Sequence, residues 1–457
     1  MQTDGLQNVV AGLGTERDKS SYTGYGIAHQ QDQFTLSNMY RLSSLAAKIV
    51  DIPADDMTRE WRIFEVSEDD EENGSTTTST LEKAERQLGV KPKITEALKW
   101  SRLFGGSIIV IGMKDGLHDQ ELNVERVKKG DLKYLLVVDR HQISTTGRLV
   151  ADPASSHFGC PEFYTITGMG LSSSVKVHYT RVLRFDGKKL PYQARQQNNY
   201  WGDSILQATM TEVKNKDTIS AAMVTMLFEA NVDTVSVEGL ADLLASKDGE
   251  AKVVKRWQTG IMMKGLHRLL LLDSTEKYER RQYTFSGLAD LFNAFMSDVS
   301  AAADIPATRL FGRSPAGMNA TGESDTRNYY DSLSSNQETD LRPLLEYLDE
   351  IFVRSTLGSM PPDYSFDFVP LWQMSQTEQA TVDKTIADRD KVYLDAGVVT
   401  EVTVAKGLKA RGTYPISQQD ITLLEEMDEP LPPEPVVPPV VVPGEEPEEL
   451  NTPPIGE

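Results

Sequence analysis
The chain has 457 residues, 39% apolar and 25% charged, a globular composition with room for two or three domains and a substantial core. Its net charge of −21 argues against adhesive binding of nucleic acid, which needs Lys and Arg to displace phosphate counterions, but not against letting DNA pass without sticking. No apolar run approaches the roughly 18 residues needed to span a bilayer, no basic-then-apolar leader opens the chain, and a lone cysteine, Cys160, allows no intrachain disulfide; the expectation is a soluble protein of a reducing cytoplasm.

In chain order, residues 1–35 are polar and Gly-rich. "LSNMYRLSSLAAKIVDIPADDMTREW" (36–61) has helical spacing through Tyr40, Leu42, Leu45 and Ile49, with Pro53 predicted to end the helix. "SEDDEENGSTTTST" (67–80) reads as a solvated acidic connector before one amphipathic helix from Leu81 through Trp100 and Leu103. "GGSIIVIG" (105–112), "KYLLVVD" (133–139), "EFYTIT" (162–167) and "SVKVHYTRVLRFDG" (174–187) read as sheet. From Asp203 to about Glu229 the stripe Leu206, Met210, Val213, Ile219, Met223, Met226 and Leu227 predicts a long helix.

A compact insertion follows, with a short helix "LADLLASK", a turn at "KDGE", strand-like "GIMMKG" and "HRLLLLD", and clustered cations: Lys252, Lys255 and Arg256, then Lys264 and Arg268, then Lys277, Arg280 and Arg281. A second helix from Gly287 has Leu288, Leu291, Phe292, Phe295 and Val299 on one face, and Asp290, Ala294, Ser297, Ala301 and Asp304 on the other. "FGRSPAGMNATGESDTRNYYDS" (311–332) is a small-residue loop leading into a nearly heptadic helix from Tyr330 to Ile351, which Pro343 should kink by removing a backbone donor. An extended connector (359–372) precedes two or three short helices (375–427). The tail from Asp428 is Pro-rich and acidic, a composition that favours disorder, and ten Asp or Glu with no Lys or Arg in 425–457 supply about half of the negative excess.

No enzymatic motif stands out. Gly312, Gly317 and Gly322 lack the lysine of a phosphate-binding loop, and the six histidines are scattered without a metal-ligand spacing, so neither cofactor nor metal is expected. Cys160 reads as a buried thiol, and Asp55 and Asp56 as a cap or solvated charges.

The order helix, basic insertion, antiparallel helix, small-residue loop and kinked helix, together with "VHYTRVLRFDGKKLP" (177–191), "WGDSILQ" (201–207), "DIPATRLFGRSPAGMNATGESDTRNYY" (304–330) and "LRPLLEYLDEIF" (341–352), resembles portal proteins of tailed bacteriophages over roughly residues 30–425. The resemblance implies an α+β, portal-like fold: a flexible arm (1–35), a mixed α/β wing (36–202), a two-helix stem (203–230 and 287–306), a small α/β clip (231–286), a channel loop (307–327), a long kinked wing helix and connector (323–374), a helical crown (375–427) and a disordered tail (428–457). It implies a non-enzymatic ring, usually of twelve copies, at one capsid vertex of the virion, assembled in the host cytoplasm. Its implied partners are double-stranded DNA, the terminase large subunit, major capsid and scaffolding proteins, and a head–tail adaptor, with no membrane.

On this resemblance Asp290, Ser297 and Asp304, flanked by Asp298, would line the DNA channel; Arg309, Arg313, Asn319 and Arg327 would belong to the channel loop; and the clip cations would face motor or adaptor. The same residues also read as a plain solvent face, a surface connection and a solvated hairpin. Two other function classes stay open: a phage-associated metal-dependent nuclease or transferase built on clustered carboxylates such as Asp55 and Asp56, and a capsid adaptor or scaffolding protein.

Overall fold
Two helices where the sequence suggests one open the described part of the chain, α1 (Gln33–Leu42) and α2 (Ser44–Arg59). The computed structural model describes residues 32–424 except 67–70, 146–147, 156, 169–173, 229–230, 237, 246, 268–276, 283–286, 313–321, 373–375, 412–415 and 418–419. The break falls at Ser43, whose extended backbone lets its hydroxyl cap Ala46 N–H, and Leu42, expected on the apolar face, is 85% exposed.

Pro53 does not end α2 but lies inside it. A proline there leaves the Ile49 carbonyl without its helical donor. Arg102 supplies the replacement, donating Nη2 to Ile49 O at 2.8 Å and Nε to Val50 O at 3.1 Å. Burial lowers the pKa of this guanidinium to about 10.

After β1 (Arg62–Glu65), helix α3 (Glu71–Leu88) starts within the expected acidic connector. The single helix expected from Leu81 to Leu103 is interrupted at Gly89, whose φ of 65° a side chain would oppose; α4 (Val90–Phe104) follows. Next come β2 (Gly106–Met113), β3 (Leu132–Asp139), β4 (Ile143–Ser144), β5 (Phe163–Ile166), β6 (Val175–His178) and β7 (Val182–Asp186). They form two antiparallel sheets, ordered β3-β2-β7 and β4-β5-β6. The run 174–187, read as one strand region, is split by a 3-10 turn at Tyr179–Arg181 into strands of different sheets.

β2 is buried along its whole length because both its faces are covered. Ile109 and Ile111 enter a core with Ile94 and Ala97 of α4 and Leu183 and Phe185 of β7, while Ile108 and Val110 enter another with Tyr164, Val177 and Trp201. Alternation along a strand sends neighbours to opposite faces, so a continuous apolar run marks a strand packed on two sides.

Two histidines of this region, His157, half-buried, and His178, buried, have pKa values lowered first by burial. Neutral imidazoles are favoured in the folded state, so the unfolded chain binds protons first as pH falls below 6.5. Stability contributed by these groups is present above pH 6.5 and lost below it. The change in melting temperature between about pH 7.5 and 5.5 should therefore be less negative in His157→Gln with His178→Gln than in wild type; an equal change would mean that these rings contribute nothing to the pH dependence.

After α5 (Tyr192–Gln197), the long helix α6 (Ile205–Phe228) leads to β8 (Asn231–Ser236), α7 (Leu240–Leu244), α8 (Lys247–His267) and β9 (Lys277–Gln282). The turn expected at "KDGE" and the strand at "GIMMKG" are both part of α8, a stretch rich in the helix formers Lys, Arg, Gln and Met; "RLLLLD" lies outside the described residues. β8 and β9 pair antiparallel, Asn231 opposite Gln282.

α9 (Leu288–Ala303) returns along α6; Leu206 and Val213 share a core with Val299 and Ala303, and with Ile49, Val50 and Tyr330. α10 (Ala307–Phe311), α11 (Glu323–Asn336), a π turn (Gln337–Leu341), α12 (Arg342–Leu357) and β10 (Ser365–Phe368) complete the first unit, residues 1–372. β10 sits in the expected extended connector and pairs antiparallel with β1, Arg62 opposite Phe368. The second unit, residues 373–457, contains α13 (Gln376–Asp395) and α14 (Glu401–Arg411). The chain is an α+β protein.

Candidate functional site
α9 has two unlike sides. Met296, Val299 and Ala303, spaced i, i+3 and i+7, are its buried stripe, whereas Leu291, expected on the apolar face, is 49% exposed. Met296 was missed because the predicted stripe ran one position away from it. On the other side Asp290, Ala294, Ser297, Ala301 and Asp304 are all exposed, and so is Asp298 beside them. These positions fall within about 40° of Asp290 around a helix, Asp298 about 80° away. Asp290 sits in the first turn, where its charge complements the helix dipole. Asp304 caps the C-terminus in the left-handed region at φ 55°, a conformation that Asp tolerates better than most side chains.

At the foot of this face lies a cleft of about 370 Å³, lined among others by Ser297, Ala301 and Asp304, by Thr308, and by Gly322 and Asp325. Gly322 holds φ at 58°, and a Cβ on it would come within 2.9 Å of Thr308 Cγ2. The chain on either side of 313–321 is thus packed together; Arg313 and Asn319 lie outside the described residues.

Arg309, expected in the channel loop, lies on α10 and is paired with a carboxylate. It forks onto Asp56 of α2, with Nη2 to Oδ1 at 2.8 Å and Nε to Oδ2 at 3.0 Å. The Asp56 side chain is 2% exposed and also accepts from Tyr329 Oη of α11 at 3.2 Å. Burial, then the Asp56 charge, pushes the Tyr329 phenol well above its usual range. Arg59 donates to Tyr330 Oη at 2.9 Å, and Lys48 Nζ to Leu310 O at 3.1 Å. Arg327 is exposed, its guanidinium 5.6 Å from the centre of the Trp372 ring. Asp56 and Arg309 are 253 residues apart, so no local pattern could have joined them.

The carboxylates considered for metal chemistry are committed elsewhere: Asp56 as above, and Asp55 to Lys99 at 2.9 Å. Among the described residues no group of three or more His, Cys, Asp or Glu is placed to hold a metal ion, and no helix is long and apolar enough to cross a membrane. Cys160 is buried, with Arg195 Nη2 3.6 Å from its sulfur.

Pro343 is the second residue of α12, directly after the π turn. In that turn Arg342 N–H donates to Gln337 O, five residues back, and Gln337 donates Nε2 to Met57 O at 2.7 Å. Pro343→Ala should let this turn tighten into regular α-helix and withdraw Gln337 from Met57. A structure of the variant that keeps the π turn would show that the buried Gln337 and Leu341 hold it instead.

Of the cations expected in a clip, Lys252, Lys255, Arg256 and Lys264 belong to α8 rather than to a hairpin, the first three exposed and spaced for one helix face. Lys277, Arg280 and Arg281 lie on β9, opposite Ser236, Asp233 and Val232. Arg268 lies outside the described residues.

A family profile described as "Phage portal protein" matches residues 34–392. Two curated relatives, each called "Anti-CBASS protein Acb1", come from Sphingomonas paeninsulae and Caulobacter sp. (strain RHG1). The first is 36% identical over 434 residues, 92% of this chain and 68% of that protein; the second is 38% identical over 395 residues, 84% of this chain and 62% of that protein. The chain therefore spans about two thirds of the length of these relatives. Among solved structures, a chain from the neck of a native gene transfer agent particle, computed with C12 symmetry, aligns at a TM-score of 0.47 with 13% identity, covering 84% of this chain and 95% of that one.

Proposed function
The chain belongs to the phage portal family, and on that premise we propose that it is the subunit of a ring through which double-stranded DNA passes at one capsid vertex. The observation that carries the reading is the exposed face of α9, where Asp290, Ser297, Ala301 and Asp304 offer short side chains and negative charge while the opposite side packs on α6. Negative walls repel phosphate and leave a passing duplex no deep binding well.

In this reading about twelve copies close a cyclic ring, as heterologous contacts do when their rotation closes. The ring nucleates head assembly with capsid and scaffolding proteins, receives the terminase large subunit during packaging, and afterwards carries the head–tail adaptor. The insertion between α6 and α9, with its cations at 252–281, is the surface offered to motor or adaptor. The chain is then a virion component assembled in the host cytoplasm and itself catalyses nothing; ejection of the genome uses the same passage.

Native mass spectrometry and negative-stain microscopy test this directly. Twelve chains of 50.8 kDa make a ring of roughly 610 kDa with a central hole wide enough for duplex DNA. A compact dimer or tetramer without a channel would overturn the reading.

The name of the two curated relatives favours a second reading, an anti-CBASS activity, but about a third of each relative lies beyond the match. In the reading proposed here this chain carries the portal role and not that activity. Expression of this chain alone should not counter CBASS defence; protection would move the activity into the portal-family region.

A further inference from the structure
The elements on the two sides of 313–321 are tied to a third element through one carboxylate. Asp56 on α2 receives both donors of the Arg309 fork from α10 and the Tyr329 hydroxyl from α11, while Thr308 and Gly322 close the other side of the joint. A buried carboxylate in a two-bond contact fixes the guanidinium in place and balances its charge. The neighbouring cleft is lined by two further carboxylates, Asp304 and Asp325.

We infer that Asp56 is a positioning residue that pins α10 and α11 to α2 and cancels the charge of Arg309, so that this arginine offers passing DNA no uncompensated cation. The inference rests on the conduit reading for its consequence, because only a passing duplex makes the cancelled charge matter. A purely structural ion pair would change stability when broken. A charge-cancelling one changes how DNA is held.

The test uses purified full-length rings and a fluorescent duplex of about 30 base pairs, titrated between about 50 and 300 mM KCl. Asp56→Asn is expected to bind the duplex about tenfold more tightly at the low-salt end, with the salt slope steeper by about 0.9 for each freed arginine that reaches a phosphate. Adding Arg309→Gln should return both quantities to the wild-type values. In hydrogen exchange, Asp56→Asn should speed the amides of 307–312 and 323–330 about tenfold relative to β2, which lies in a separate part of the core.

Asp56→Asn rings that bind DNA like wild type, or a double variant that stays tight, would overturn the inference and leave the conduit standing. Should Asp56→Asn fail to fold, the double variant Asp56→Asn with Arg309→Gln, which leaves no buried charge unpaired, decides by comparison with wild type. An arginine already neutralised by Asp56 changes affinity less than about twofold when removed, whereas a free phosphate contact weakens binding and lowers the salt slope by about 0.9. A wild-type chain that forms no ring removes the conduit reading, and this inference with it.

Discussion

Replacing Arg62 by Met is expected to destabilise the first unit by about 3–5 kcal/mol, because it strands two carboxylates in the interior. Arg62 opens β1 with its side chain fully buried. It donates Nε and Nη2 to Glu85 Oε1 of α3 at 3.0 and 2.8 Å, and Nη1 and Nη2 to the two oxygens of Asp349 on α12 at 2.5 and 2.8 Å. Tyr364 Oη adds a bond to Asp349 at 2.8 Å, and the guanidinium lies 4.8 and 4.7 Å from the ring centres of Phe64 and Phe366. Three elements distant in sequence thus converge on one cation. Burial already raises the Asp349 pKa against the pull of Arg62.

Without Arg62 that rise grows, which sets the pH dependence of the variant. A carboxylate whose folded pKa lies above its unfolded value of 3.8 contributes most favourably in acid and progressively less as pH rises through the folded pKa. The loss in Arg62→Met should therefore be largest at neutral pH and shrink toward pH 4. Adding Asp349→Leu removes the stranded charge and should recover much of the loss. Denaturant midpoints at pH 7 and 4.5 check both statements; a loss under about 1 kcal/mol at pH 7 would mean that the two carboxylates are not left stranded when Arg62 is removed.

Arg62 and Asp56 mark where the sequence stops being legible. The strands β2, β3, β5 and β7 could be read from their apolar runs, since local alternation and turn residues determine them. The helix from Asp203 corresponds to α6 within two residues at its start. The breaks at Ser43 and Gly89 were not read, because one residue can interrupt a helix without disturbing the apolar spacing on either side. Pro53 misled for a definite reason. Its cost depends on the orphaned Ile49 carbonyl, and Arg102, the residue that meets it, is 53 positions away. β1 and β10, four residues each, become strands only by pairing across most of the chain. In the candidate site the exposed acidic side of α9 follows from helical spacing, while the pairing that changes the meaning of Arg309 is a tertiary fact.

Reversing charge on the exposed side of α9 is expected to leave rings intact and cut the yield of DNA-filled heads about tenfold or more, by giving phosphate a place to bind. The structure guides the choice of positions. Asp304 is a poor target, since at φ 55° a lysine would add backbone strain of about 1–2 kcal/mol unrelated to charge. Asp290 and Ser297 are both exposed, within regular helix and on one side, so Asp290→Lys with Ser297→Lys changes the field with little else. The lysine at 290 opposes the helix dipole at a cost of about 0.3–1 kcal/mol, small beside the core formed by Val299, Ala303, Leu206 and Val213.

The double change adds three charges per chain, about 36 in a ring of twelve, all facing the passage if the conduit reading holds. Each lysine that reaches a phosphate releases counterions, so the block should weaken as salt is raised, a dependence that misfolding would not show. Packaging measured beside ring mass separates the outcomes. Normal rings that package normally would move the channel wall away from α9, whereas normal rings that stall with DNA part-way, and are relieved by salt, place it there.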